Sequence, residues 1–161
     1  MTSNMFTEPA QIETLESLSS SEIKGVFDVW NRVYPQQINY ENTSDFEVTL
    51  STYKNPSHYL LKINQQLIGW CCVFDRDDAR WFALIVDTDH QHLGFGTRLL
   101  NNAKENEKEL FGWMTPINHY IKKDGSTYQS PKAFYIKNGF TITKDVLKTD
   151  TLSTVKIHWR R

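Results

Sequence analysis

One short stretch holds residues whose types and spacing could do chemistry. Gln91, His92, Leu93, Gly94, Phe95 and Gly96 separate an apolar run, Trp81 to Val86, from a helical pattern that opens at Thr97. A helix start leaves unpaired N–H groups and a partial positive charge, and glycine lets the main chain approach a phosphate closely. A pyrophosphate suits such a turn. Two glycines also fit any tight turn, so the motif needs support from its surroundings. A dinucleotide fingerprint requires a third small residue where Leu99 stands, and a Walker loop requires Gly-Lys-Ser/Thr; neither is present.

Other reactive side chains are sparse. His90 and His92 form the one close histidine pair, without Cys or acid at zinc-site spacing, so no metal is expected. Cys71 and Cys72 are adjacent. On a strand they point to opposite faces, which predicts core filling rather than a disulfide or redox pair.

The elements that must position the turn follow from periodicity. Gln11 to Leu18 reads as an edge strand. Ser19 to Ser21 offer caps for a helix whose apolar stripe is Ile23, Val26, Phe27, Trp30 and Val33 or Tyr34, with Pro35 ending it. Ser44 is expected to cap a second short helix running toward Tyr53. A turn at Asn55 to Ser57 then leads into a hairpin, His58 to Ile63 and Leu67 to Phe74, before the buried strand Trp81 to Val86. Beyond it come a helix from Thr97 to about Glu109, a strand Leu110 to Met114 and a polar loop 117–129 that turns at Asp124, Gly125 and Ser126. Ser130 and Pro131 start a helix that Gly139 ends, and strands Phe140 to Val146 and Ser153 to Trp159 close the chain. This order predicts an α/β fold of the α+β type, with a mixed, largely antiparallel central sheet of six to seven strands and about four helices.

The 161 residues fit a single domain spanning 1–161, with its core over about 10–160. Aromatics at 13% and charged residues at 23% describe a folded globular chain. No apolar run is long enough for a membrane span, and Met1 to Glu8 lacks the pattern of a secretory leader, so a cytoplasmic location is the default expectation. Net charge is −1, divided as −5 over residues 1–80 and +4 over 81–161. The basic half suits a phosphate-rich ligand and the acidic half mildly suits a cationic one, although a solvated surface explains any single charge. Lys122, Lys123, Lys132 and Lys137 carry too little net charge for nucleic-acid binding.

With these elements in place, the chain resembles the GNAT superfamily of acyltransferases. Two ordered markers carry the resemblance: the turn Val86, Asp87, Thr88, Asp89, His90 followed by Gln91 to Gly96, and downstream the helix end Tyr135, Ile136, Lys137, Asn138, Gly139, Phe140. Carried over position by position, the resemblance implies that the main chain of Leu84, Ile85 and Val86 pairs with the pantetheine arm of coenzyme A. The N–H groups of His92, Leu93, Gly94, Phe95, Gly96 and Thr97 would hold its pyrophosphate, with Gln91 opening the loop. It also implies Tyr135 as the general acid beside the coenzyme sulfur, a role that a phenol of pKa about 10 can fill while staying protonated at neutral pH. The alternative for Tyr135 is a core aromatic with its hydroxyl at the surface.

The function this implies is transfer of an acetyl group from acetyl-CoA to a primary amine, on a small molecule or peptide. The alternative is an acyl-CoA sensor or assembly module without turnover. It is motivated by the lack of an ionisable side chain on Trp81 to Val86, where many family members carry a base. Glu41 and His119 are candidate bases, beside water-relayed transfer. In this architecture the loops Tyr34 to Thr43 and Asn118 to Gln129 are expected to line the acceptor pocket, with Tyr34, Tyr40 and Glu41 able to meet a cation. Pairing into a homodimer is left open.

Overall fold

The computed structural model of the protein describes residues 9–161; the stretch 1–8, on which the secretory-leader reading rests, lies outside the described residues. Its elements are β1 (Gln11–Leu15), α1 (Ser20–Val33), α2 (Thr43–Ser51), β2 (Lys54–Ile63), β3 (Gln66–Arg76), β4 (Ala79–Val86), α3 (Phe95–Glu105), β5 (Glu109–Met114), α4 (Lys132–Lys137), β6 (Thr141–Lys148) and β7 (Ser153–Arg160). The seven strands form one sheet in the order β1-β2-β3-β4-β5-β7-β6. Every neighbouring pair is antiparallel except β4 and β5.

Local chemistry accounts for most boundaries. Ser19 caps α1 in a reciprocal box: its Oγ accepts the Glu22 N–H at 3.3 Å, and Glu22 accepts the Ser19 N–H at 2.7 Å. The hairpins β2–β3 and β3–β4 turn through residue pairs at positive φ, Asn64 with Gln65 and Asp77 with Asp78, whose twist matches that of the strands. Three boundaries differ from expectation. Asn42, not Ser44, caps α2 by accepting the Asp45 N–H at 2.9 Å. Asn55, at φ 46°, is a bulge inside β2 rather than a turn before it. Helix α3 starts at Phe95 rather than Thr97 because Gly94, left-handed at φ 86°, turns the chain into it, and it ends at Glu105 rather than about Glu109.

Two apolar layers sandwich the sheet. On one face α1 and α2 bury Val26, Val29, Trp30, Val33 and Phe46 against Leu60, Trp70, Cys72, Trp81 and Ile85. On the other, α3 and α4 bury Leu99, Leu100, Ala103 and Tyr135 against Tyr59, Leu61, Cys71, Phe82 and Leu84. Cys71 and Cys72 are free, buried and on opposite faces, and burial pushes both thiols well above the ordinary range. Among the described residues no helix is long and apolar enough to cross a membrane.

One polar group lies inside the α1 layer. His58 on β2 accepts the Trp70 indole N–H on Nδ1 at 3.1 Å, so its neutral form is the bonded one. Burial lowers its pKa from 6.5 to about 4, against a smaller opposing pull from Glu22. A depressed histidine contributes nothing to pH dependence above 6.5, where folded and unfolded chains are both neutral. As pH falls from 6.5 toward 4 the unfolded chain takes up the proton first, and stability is lost. Chemical denaturation should register a loss on the order of 2–3 kcal/mol across that window. His58→Asn, which keeps an acceptor for Trp70, should flatten the slope between pH 6.5 and 5.

Candidate active site

The strands β4 and β5 pair at one position, Trp81 with Phe111, and then part. β5 continues to Met114 along β7. β4 continues to Val86 along β3, where the last bond runs from the Asp87 N–H to the Ile68 carbonyl at 2.7 Å. Antiparallel pairs alternate between bonded and unbonded, so Ile85 directs its main chain to Trp70, whereas Leu84 and Val86 direct theirs into the opening beside β5. Two carbonyls there are met by side chains. The Tyr34 hydroxyl donates to Leu84 C=O at 3.1 Å, and the Gln91 amide donates to Val86 C=O at 2.9 Å.

This parting opens a cavity of about 860 Å³ that passes through the sheet. Its far wall is the turn between β4 and α3. The first helical bond of α3 is from Arg98 N–H to Gly94 C=O at 3.1 Å, so the N–H groups of Phe95, Gly96 and Thr97 precede it and point out of the helix end. His92 at φ 64° and Gly94 at φ 86° bend the chain into that end. Of the turn residues, Gln91, His92, Gly94, Gly96 and Thr97 line the cavity. Leu93 is exposed to solvent and Phe95 packs against the α3 layer, so these two can offer only main chain. The turn is braced from behind, where Asp87 receives Arg32 of α1 through two bonds of 3.2 Å.

The two sequence markers touch. A Cβ on Gly96 would lie 2.9 Å from the Phe134 ring of α4, so only glycine admits that helix at this distance. Phe134 in turn sets its neighbour Tyr135, whose ring meets Phe82, Phe134 and Phe140 edge-on at centroid distances of 5.1–5.8 Å. The Tyr135 hydroxyl has no hydrogen-bond partner among the described residues, and Tyr135 lines the cavity. Burial, with smaller contributions from Tyr128 and Cys71, holds its pKa well above 10. Tyr34 is raised in the same way and Tyr128 to about 12 by burial, so three neutral phenols converge on the opening.

A roof of two loops covers the cavity. Pro35 bridges Lys122, and the Gln36 N–H donates to Ile121 C=O at 2.9 Å, joining the segment after α1 to the segment before α4. Tyr34, Pro35, Ile38, Lys122, Thr127, Tyr128 and Gln129 line it as the two-loop expectation required. Three residues expected there are elsewhere. Tyr40 packs on Trp30 and Phe46 with its hydroxyl on Thr49 Oγ1 at 3.0 Å, and Glu41 and His119 are exposed outside the cavity. No Asp or Glu lines the cavity among the described residues. Of the lysines singled out, Lys122 and Lys137 reach it and Lys123 and Lys132 do not. Sequence reading placed Tyr128 within an expected loop without singling it out, and it missed an aromatic wall of Tyr53, Phe74, Trp81 and Trp113 beside Arg76, brought together by long-range pairing. No group of three His, Cys, Asp or Glu side chains able to hold a metal ion occurs among the described residues.

The glycines give separate readouts. Nothing lies within 4 Å of a Cβ at Gly94, so Gly94→Ala meets only the left-handed backbone penalty, about 1 kcal/mol by urea denaturation. Gly96→Ala must displace Phe134 and should cost about 1–3 kcal/mol by the same measurement.

Comparison with known proteins agrees with this geometry. The family profile described as acetyltransferase (GNAT) domain matches residues 54–142, which run from β2 through the turn and α4 into β6. No curated protein sequence matches the chain. Among solved structures, an aminoglycoside 6'-N-acetyltransferase complexed with coenzyme A is similar at TM-score 0.69 and 14% identity, over 93% of this chain and 96% of that one. An acyl-CoA N-acyltransferase from Pseudomonas aeruginosa gives TM-score 0.69 at 13% identity, over 94% and 99% of the two chains. The ribosomal-protein-S18-alanine N-acetyltransferase from Escherichia coli gives 0.66 at 15% identity, over 94% of each. At such identities the structures speak for the fold, while the profile covers more than half of the chain and both markers, so the protein belongs to the GNAT acetyltransferase family.

Proposed function

We propose that the protein transfers an acetyl group from acetyl-CoA directly to a primary amine. The observation that carries this reading is the parting of β4 from β5, with the α3 N-terminus at one end and Tyr135 over its middle. The pyrophosphate of the coenzyme would sit on the N–H groups of Phe95, Gly96 and Thr97, where helix-end charge favours an anion. The pantetheine amides would extend β4 by pairing with the main chain of Leu84 and Val86. Their carbonyls can take these bonds besides those from Tyr34 and Gln91, because each has two lone pairs.

In the reaction the amine nitrogen attacks the thioester carbonyl carbon, and a strand N–H facing the opening supports the oxyanion. The C–S bond then breaks, the amine proton leaves through water, and Tyr135 gives its proton to the departing thiolate before being reprotonated. Burial keeps this phenol protonated until the thiolate forms, so that it first hydrogen-bonds the growing charge and then gives up its proton. The cavity wall supplies no carboxylate base, but Arg76 and Lys122 line it, and nearby cations with desolvation favour the free amine over the ammonium. The acceptor would thus enter ready to attack.

The missing carboxylate also favours a second reading, an acyl-CoA sensor without turnover. Thiol release distinguishes the two: steady release with an amine supports the enzyme, and binding without release supports the sensor. In a thermal-denaturation series, acetyl-CoA at 100 times its dissociation constant should stabilise the fold by about 2.7 kcal/mol, and no shift with any acyl-CoA rejects both readings. Tyr135→Phe should lower kcat roughly a hundred-fold with coenzyme affinity unchanged; unaltered kcat removes the phenol from the mechanism.

A further inference from the structure

The cavity extends past the thioester position to the α1 side of the sheet, where it ends in an aromatic chamber. Tyr53 and Phe74 stack face to face at 3.8 Å and 2°, and Trp81 and Trp113 stack at 5.6 Å and 24°. Arg76, the last residue of β3, is exposed to solvent and lines the cavity beside these rings. Its guanidinium lies 4.9 Å from the Phe74 ring centroid and 5.9 Å from that of Trp81. It lies against those rings, and its side chain makes no salt bridge or hydrogen bond among the described residues.

The neighbouring acids are engaged or directed elsewhere. Asp75 pairs with Arg80 at 3.0 Å, and Asp77 and Asp78 form the exposed hairpin turn outside the cavity. Lys122 adds a second positive charge on the roof, partly answered by Asp124, whose carboxyl it helps hold below the ordinary range. The acids of the N-terminal half thus do not reach the chamber, and the cationic ligand that its charge suggested has no counter-charge there.

We propose that the acceptor is a primary amine carrying its own carboxylate and an aromatic group, the size of an aromatic amino acid or dipeptide, with the carboxylate held by Arg76. This rests on the acetyl-transfer reading and names the substrate class for the same site. A planar guanidinium lying against aromatic faces presents N–H pairs that match a carboxylate in bidentate fashion. The apolar walls take the aromatic group by stacking. Trp81 and Leu84 are three strand residues apart, about 10 Å, which sets the outer limit of the span from carboxylate to amine. A polycation, by contrast, would bring several positive charges to a cavity whose lining already includes Arg76, Lys122 and Lys137 and no carboxylate.

The test is calorimetric titration of the coenzyme A-loaded protein with acetylated products of two lengths, N-acetylphenylalanine and N-acetylglycylphenylalanine, each against its C-terminal amide. At one length or both, the acid should bind at least ten-fold more tightly than the amide. Arg76→Gln should abolish that preference while leaving coenzyme A affinity as it was. Equal binding of acid and amide, no binding of either, a preference that survives Arg76→Gln, or tighter binding of the polycation tobramycin overturns the carboxylate assignment. Those outcomes leave acetyl transfer standing, whereas failure of coenzyme A to bind rejects the transfer reading and this inference with it.

Discussion

The site depends on a single pair, Trp81 with Phe111, being the last at which β4 and β5 meet. Buried backbone groups must be bonded, and a strand that leaves its neighbour inside a core ordinarily loses stability for each group left over. Here the two carbonyls that face the opening are answered by side chains from different elements, Tyr34 from the end of α1 and Gln91 from the turn. The α1 helix therefore stabilises the opening as well as covering the sheet. Its Arg32 repeats the arrangement one step further on, by fixing Asp87 where β4 ends and the turn begins.

Much of the fold was legible because its signals are local. The stripe of α1, the hairpin turns, the Asp124 turn and the glycine after α4 all lie in short windows that obey backbone sterics. The misplaced boundaries share a cause. Ser44 is a sound cap by side-chain type, but Asn42 sits two residues earlier with its carbonyl aimed at the helix end; the helix expected to open at Thr97 starts two residues earlier, because Gly94 caps it through conformation alone. Of the site, the phosphate turn and Tyr135 could be read because sequence neighbours build them. Arg76 and the stacked aromatics could not, since they are joined from β3, β4, β5 and the segment between α2 and β2. Glu41 and His119 show the converse: a suitable side chain on a loop of the right neighbourhood can still point away from the cavity.

Charge is distributed in a way that the two-half division obscured. Among the acids of residues 1–80, Glu22 closes the α1 cap, Asp28 pairs with Lys24 and Asp75 with Arg80, and none of the described ones lines the cavity. What faces the cavity is instead neutral phenol, indole and a few cations. Such a lining suits a ligand that brings several negative charges of its own.

The contact of Gly96 with Phe134 joins the helix end suited to phosphate to the helix that carries Tyr135. A rigid joint of this kind acts as a gauge, because the separation between an anion seated on α3 and a sulfur beneath Tyr135 is set by the backbone and one ring. Under the acetyl-transfer reading proposed above, the protein would thereby measure the length of its donor, and a carrier with a shorter or longer arm would present its thioester out of register with the phenol.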